Sequence, residues 1–236
     1  MSSDRNALIL ALARAGATDE AWRLLGPVES GNDPTAAALR GRLLKDRARV
    51  ASGERRASRY REAAAAYRRS AELAPATYPL INAASLSLLA GDGAEADTLA
   101  QEVLDRIEAN PDEPETPYWR AATRAEALLL LGRHDEARAA FAEAIDLAPE
   151  AWEDHASTLR QFALILEAQA ADAAWLELHR PPRSLHFGGH MAFDARVSRR
   201  GHLDEKIAAV LREEKVGFGY GALAAGADII VAEALL

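Results

Sequence analysis

Cysteine is absent from the 236 residues. That excludes a disulfide framework, thiolate catalysis and thiolate metal sites. Aromatic residues make up 6% of the chain, too few for a core built mainly of rings. Nowhere do about 18 apolar residues follow one another, so hydropathy predicts no membrane-spanning helix. The opening stretch MSSDRNALILALARAG lacks the basic segment and long apolar run of a secretory signal. The expected location is therefore cytoplasmic.

What is present is alanine and charge. The apolar share is 49%, enough for a buried core. Alanine-rich runs favour helices that approach closely through small side chains. The net charge of -8 is unevenly spread. Residues 40–69 hold eleven basic and three acidic side chains. A basic helical pair of this kind is usually a solvated face balanced by acidic neighbours. It lacks the aromatic or glycine pattern of a nucleic-acid module, so nucleic acid is an unlikely partner.

Internal repeats decide the architecture. In LLGRHDEARAAFAEAIDLAPE, residues 130–150, Gly132 ends one helix. Ala137, Phe141 and Ala144 then share one face of the next, and Pro149 follows its end. The frame resembles the second half of a tetratricopeptide repeat (TPR). It recurs as Ala63, Tyr67 and Ser70 with Pro75, as Gly91 with Ala96, Ala100 and Val103, and as Gly16 with Ala21 and Leu25. The leading alanines 21, 63, 96 and 137 are 42, 33 and 41 residues apart, an irregular series. Four matches in succession imply an α-hairpin solenoid of about nine or ten antiparallel helices. The helix AWEDHASTLRQFALILEAQ, with Trp152, Leu159, Phe162 and Leu166, is expected to close the stack. Trp22, Trp119, Trp152 and Trp175 are expected to pack between hairpins.

The stretches GRLLKD, YREAAAAYRRSAEL, YPLINAASLSLLAG and YWRAATRAEALLLLG resemble the TPR-containing regulatory region of apoptosis-signal-regulating kinases, the TRAFs-binding domain. The likeness covers roughly residues 36–165. It implies a protein-binding regulatory scaffold, with a protein or peptide partner on the concave face formed by the first helix of each hairpin. Arg40, Arg42, Lys45 and Arg49 would then favour an acidic partner. No kinase motif accompanies the resemblance.

After residue 180 the composition changes. Pro181 and Pro182 interrupt the helical pattern. SLHF reads as a short strand, followed by the Gly188-Gly189 turn. HLDEKIAAVLREEK reads as a helix, VGFGYG as a second strand, and AGADIIVAEALL as the opening of a second helix. The expected architecture is thus mainly α: a TPR-like solenoid over residues 1–180, then an incomplete βαβα, Rossmann-like segment over 183–236. Glycines after a parallel strand let backbone N–H groups approach a phosphate, and a helix N-terminus adds its partial positive charge.

The paired motifs are similar to those of the SLOG superfamily, which includes the LOG-type nucleotide hydrolases and the DNA-processing protein A family. The resemblance implies a nucleotide-derived ligand at Gly188, Gly189, His190, Gly219, Gly221, Gly226 and Asp228. Asp228 can also cap its own helix, the commoner role. Glu233 departs in spacing from the hydrolase form and is not taken as catalytic. No catalytic residue, cofactor or metal is assigned. His186, His190, His202 and Asp194 match no metal-ligand spacing.

Two functional classes follow. The first is a protein-binding scaffold coupled to a nucleotide-sensing segment of a signalling or defence protein. The second is the N-terminal part of an enzyme acting on a nucleotide-derived ligand. A Rossmann-like sheet needs more than two strands. The chain is therefore expected to be the N-terminal piece of a longer protein and to bind nucleotides weakly or not at all by itself; the alternative is a short protein whose βαβα unit docks on the solenoid.

Overall fold

The computed structural model describes residues 2–26, 32–110, 116–189 and 200–236. The chain divides into two units, Met1–Leu178 and His179–Leu236.

Among the described residues, the first unit holds nine α-helices: α1 (Ser2–Arg14), α2 (Thr18–Leu25), α3 (Pro34–Arg49), α4 (Gly53–Leu73), α5 (Thr77–Leu89), α6 (Gly93–Ala109), α7 (Pro117–Leu130), α8 (His134–Leu147) and α9 (Trp152–Ala168). A short 3-10 turn, Ala174–His179, follows. From α1 to α8 each helix packs on the next, and the first helices α5, α7 and α9 also pack on one another. This is a mainly α, TPR-like solenoid.

Three hairpin turns share one chemistry. Gly16, Gly91 and Gly132 all adopt positive φ, at 79°, 88° and 71°. In each, the glycine N–H and the next N–H bond back into the preceding helix, as in Gly132 to the Leu129 carbonyl and Arg133 to the Leu128 carbonyl. That reversal needs a left-handed residue just past the helix, which glycine supplies without a Cβ clash.

The repeat frames point inward. Ala21, Ala63, Ala96 and Ala137 are all buried, as are Leu25, Tyr67, Ala100, Phe141, Val103 and Ala144. The alanines set the close helix approach, and the larger residues fill the space beyond. A continuous core runs from Leu44 to Leu176, and a smaller cluster of Ile9, Ala21, Leu25 and Leu43 serves the first hairpins. At the far end Phe141, Phe162 and Trp175 meet, with Phe141–Phe162 ring centroids 5.1 Å apart. Helix α9 and the 3-10 turn thereby cover the last hairpin. Trp22 is only partly buried. Trp119 and Trp152 depart from the packing expectation: both keep more than a third of their surface exposed.

Gly41, within α3, lies against the ring of Tyr67 in α4. A Cβ there would stand 2.6 Å from the Tyr67 ring, which is almost wholly buried. Gly41→Ala is therefore expected to destabilise the unit by about 1–3 kcal/mol through overpacking. The gain in helix propensity, about 1 kcal/mol, offsets part of that cost. Urea midpoints equal to or above wild type would show that the α3–α4 contact yields easily.

In the second unit β1 (Arg183–Phe187) pairs in parallel with β2 (Val216–Gly221). Helix α10 (Arg200–Glu213) connects them, and α11 (Ala227–Leu235) follows β2. The order is βαβα, with two short parallel strands.

Candidate functional site

Helix α3 has two basic faces, separated by helical periodicity. Residues 42, 45, 46 and 49 follow the i, i+3, i+4, i+7 rule and share one face. Arg40 and Arg47 lie on another. Both guanidiniums stack on Trp22, at 5.3 and 4.3 Å from its ring, and Arg47 also pairs with Asp19. Much of the basic run in α4 is spent on local partners: Arg61 on Glu54, Arg68 on Glu95, Arg69 on Glu72. Arg59 donates to the Arg47 carbonyl.

The other face of α3 meets a cavity of about 340 Å³. Its walls come from the first helices: α3 through Arg42, Lys45, Asp46 and Arg49, then α5, α7 and α9; Tyr67 of α4 joins them. Three of the four basic residues singled out in the sequence, Arg42, Lys45 and Arg49, thus converge on one cavity. Arg40 is turned to Trp22 instead. Arg160 of α9 adds a fourth cation. Asp46 stands 4.0 Å from Arg42 and 3.9 Å from Arg49, too far for a tight charged hydrogen bond.

A polar network links the helices at this cavity. Lys45 Nζ donates to Asn82 Oδ1 of α5 and to Gln161 Oε1 of α9, each at 3.3 Å. Glu126 of α7 accepts from the Ser85 hydroxyl at 2.5 Å. Parts of Lys45 and Glu126 reach the cavity, yet burial is the largest influence on both. It lowers the Lys45 amine against the opposing pull of Glu126, and it raises the Glu126 carboxyl against the pull of Ser85 and Lys45. Gln161 also favours the charged form of Glu126, as the smallest of these influences. Two buried donors at the cavity, Arg42 Nε and Gln161 Nε2, have no partner at hydrogen-bond distance; the nearest carboxylate to Arg42 Nε is Asp46 Oδ2 at 4.0 Å. An unmet buried donor costs about 1–3 kcal/mol, a cost that an incoming acceptor would relieve.

Two exposed rings complete the lining. Tyr78 is 51% exposed and Trp119 38%. Each is held edge-on by a buried tyrosine: Tyr78 by Tyr67 at 6.2 Å, Trp119 by Tyr118 at 5.2 Å. Burial raises the Tyr67 phenol well above its usual range and pushes Tyr118 up to about 12. Both therefore stay neutral hydroxyls. Tyr118 shares a 2.9 Å hydrogen bond with Thr158.

Sequence reasoning did not single out Glu126, Asn82 or Gln161, which lie far from α3 along the chain. It did not assign Trp119 to a site either. A polar residue on the first helix of each successive hairpin was the available signal.

In the second unit Gly188 has open space around it. Gly189 lies so close to the start of α11 that a Cβ would strike Ala227 and approach Asp228 Oδ1 at 3.2 Å. Gly226 caps α11 with φ 102°. Gly219 and Gly221 lie inside β2, where a Cβ would collide with Leu235 or the Phe187 ring. Close packing thus gives those two glycines a reason of their own. Asp228 is buried; Oδ2 accepts from the Ala224 N–H at 3.4 Å, and Oδ1 is buried without a partner. His190 and Asp194 lie outside the described residues, as does the His202 side chain.

No helix among the described residues is long and apolar enough to cross a membrane. No curated protein and no solved structure matches the chain. A family described as Tetratricopeptide Repeats-Sensor matches residues 3–87. The match takes in the first two hairpins and most of α5, and with them the α3 face that lines the cavity; over this stretch the chain is similar to a TPR-type sensor module.

Proposed function

We propose that the helical unit is a sensor and interaction module that binds an acidic partner on the face formed by α3, α5, α7 and α9. The observation that carries this reading is the convergence of Arg42, Lys45, Arg49 and Arg160 on one cavity holding two acidic residues, Asp46 and Glu126. Like charges gathered at a cleft focus the field and draw an acidic partner. Similarity to TPR-type sensor modules supports the reading, because such repeats present a groove for partners.

The second unit is read, from its likeness to SLOG domains, as a segment that takes a nucleotide-derived ligand. Its support is the close approach of Gly189 to the start of α11. The buried Asp228 carboxylate there suits a ribose hydroxyl better than a phosphate, since two anions at one helix end repel.

The test is comparative capture from cells of the source organism. Wild-type protein is expected to retain a defined partner at low salt and to release it as salt rises. Arg42→Glu/Arg49→Glu should lose the partner while keeping its helical circular dichroism. The same partner recovered equally by the charge-reversed protein would refute the reading.

A further inference from the structure

We propose that the cavity between the first helices is a small-molecule site of its own, which takes an organic anion carrying a flat ring. The inference rests on the reading of this face as a binding surface, and it specifies the chemistry of what enters. Four observations point the same way.

The first is size. At about 340 Å³ the cavity falls at the low end of the range for small-ligand pockets, roughly 300–1,000 Å³. It is too small for a folded surface and large enough for a compact ring with an acid group.

The second is unmet hydrogen bonding. Arg42 Nε and Gln161 Nε2, one from α3 and one from α9, are buried donors with no partner at hydrogen-bond distance; Arg42 Nε faces Asp46 Oδ2 only at 4.0 Å, and Gln161 faces Glu126. Buried polar groups are nearly always satisfied. Two orphan donors lining one cavity therefore mark the place of an acceptor. An anionic oxygen suits either donor and forms the stronger, charge-assisted bond with the guanidinium.

The third is charge. Arg42, Lys45, Arg49 and Arg160 stand against Asp46 and Glu126. A neutral or cationic ligand gains nothing from this arrangement.

The fourth is the pair of rings. Tyr78 and Trp119 line the same cavity, exposed yet fixed from behind by Tyr67 and Tyr118. An exposed ring that is held in place loses little further freedom when a second ring packs on it. Aromatic contacts add to burial when the partner is flat. An aliphatic acid of equal size would use the cations and forgo the rings.

Indole-3-carboxylate is the probe, with cyclohexanecarboxylate, neutral indole and inorganic phosphate as comparators, measured by calorimetry on the full 236-residue chain. The Trp119 indole N–H, assigned through Trp119→Phe, reports the location by NMR. Indole-3-carboxylate is expected to bind about tenfold more tightly than each comparator and to shift the Trp119 signal. Lys45→Met should weaken it about tenfold, and Glu126→Gln, which removes a negative charge while keeping an acceptor for Ser85, should tighten it. Equal binding of cyclohexanecarboxylate or phosphate would overturn the role of the rings. Insensitivity to both Lys45→Met and Glu126→Gln, or no binding at millimolar concentration, would overturn the site. In either case partner capture by the wild-type protein would stand or fall separately.

Discussion

Phe141→Ala is expected to cost the helical unit about 3–5 kcal/mol, seen as a fall in the urea midpoint with an unchanged slope. Phe141 is fully buried. It sits where α8, α9 and the 3-10 turn meet. Its ring lies 5.1 Å from Phe162 at 62° and 6.4 Å from Trp175 at 73°, both edge-on arrangements that add about 0.5–1.5 kcal/mol to burial. Truncation would leave a cavity bounded by two large rings, and neither can close it without losing its own contacts. The unit should also lose terminal order, because Trp175 is held partly by Phe141 and partly by Arg138, whose guanidinium stands 5.4 Å from the indole ring. Phe141→Leu keeps most of the volume and should cost less than half as much. A loss below about 1 kcal/mol for Phe141→Ala would mean that the last hairpin and α9 are not a cooperative part of the stack.

The solenoid was legible because its rules are local. Small side chains at fixed offsets from a glycine turn mark both the helix contact and the reversal, and Gly16, Gly91 and Gly132 take the positive φ that this reversal needs. The fourth hairpin turn, before Gly53, follows no such pattern in sequence. The division of the basic run was legible in principle: residues 42, 45 and 49 fall on one helical face and 40 and 47 on another. Charge alone could not say which face met a cavity and which met Trp22. Gly41 looked like part of a motif, yet its physical reason is the Tyr67 ring 26 positions later. The network around Lys45 was beyond reach, because Glu126 and Gln161 are brought to it by the superposition of hairpins. In the second unit the element order and the parallel pairing follow from the alternation of strand and helix patterns. The roles of individual glycines do not. A glycine inside a strand can admit a ligand or a neighbour's ring, and at Gly219 and Gly221 Phe187 supplies the ring.

Removing either charge of the Lys45–Glu126 network should destabilise the protein by about 3 kcal/mol, with opposite pH dependences for the two variants. Burial holds the Glu126 carboxyl above its usual 4.5, and Lys45 opposes that rise. Without Lys45 the carboxyl is held higher still. A raised acid stabilises the fold fully below its unfolded value and loses that contribution as pH rises through its folded value. The cost of Lys45→Met is therefore expected to be small near pH 4.5 and to grow as pH rises, where ionisation is forced on a buried carboxyl that has lost the Lys45 amine. Glu126→Gln is the mirror case. Burial holds Lys45 below its usual 10.5, and Glu126 opposes that fall. Between the folded and unfolded values the unfolded chain carries more protons, so stability rises with pH across that window. Loss of Glu126 widens the window downward, so this variant should be weakest near neutral pH and recover toward about pH 10. The other charges facing the pair, Arg42, Asp46 and Arg49 from its own helix and Arg160 from α9, remain in both variants and cancel in the comparison. The double variant Lys45→Met/Glu126→Gln removes both charges and retains an acceptor for Ser85. Its stability should be close to wild type or above it, and flat with pH, because buried pairs often contribute less than their apolar replacements. Urea midpoints from about pH 5 to pH 9 would measure all three proteins. Single variants whose costs are equal and independent of pH would show that the two groups titrate as they would in water, and that the cavity floor is wet.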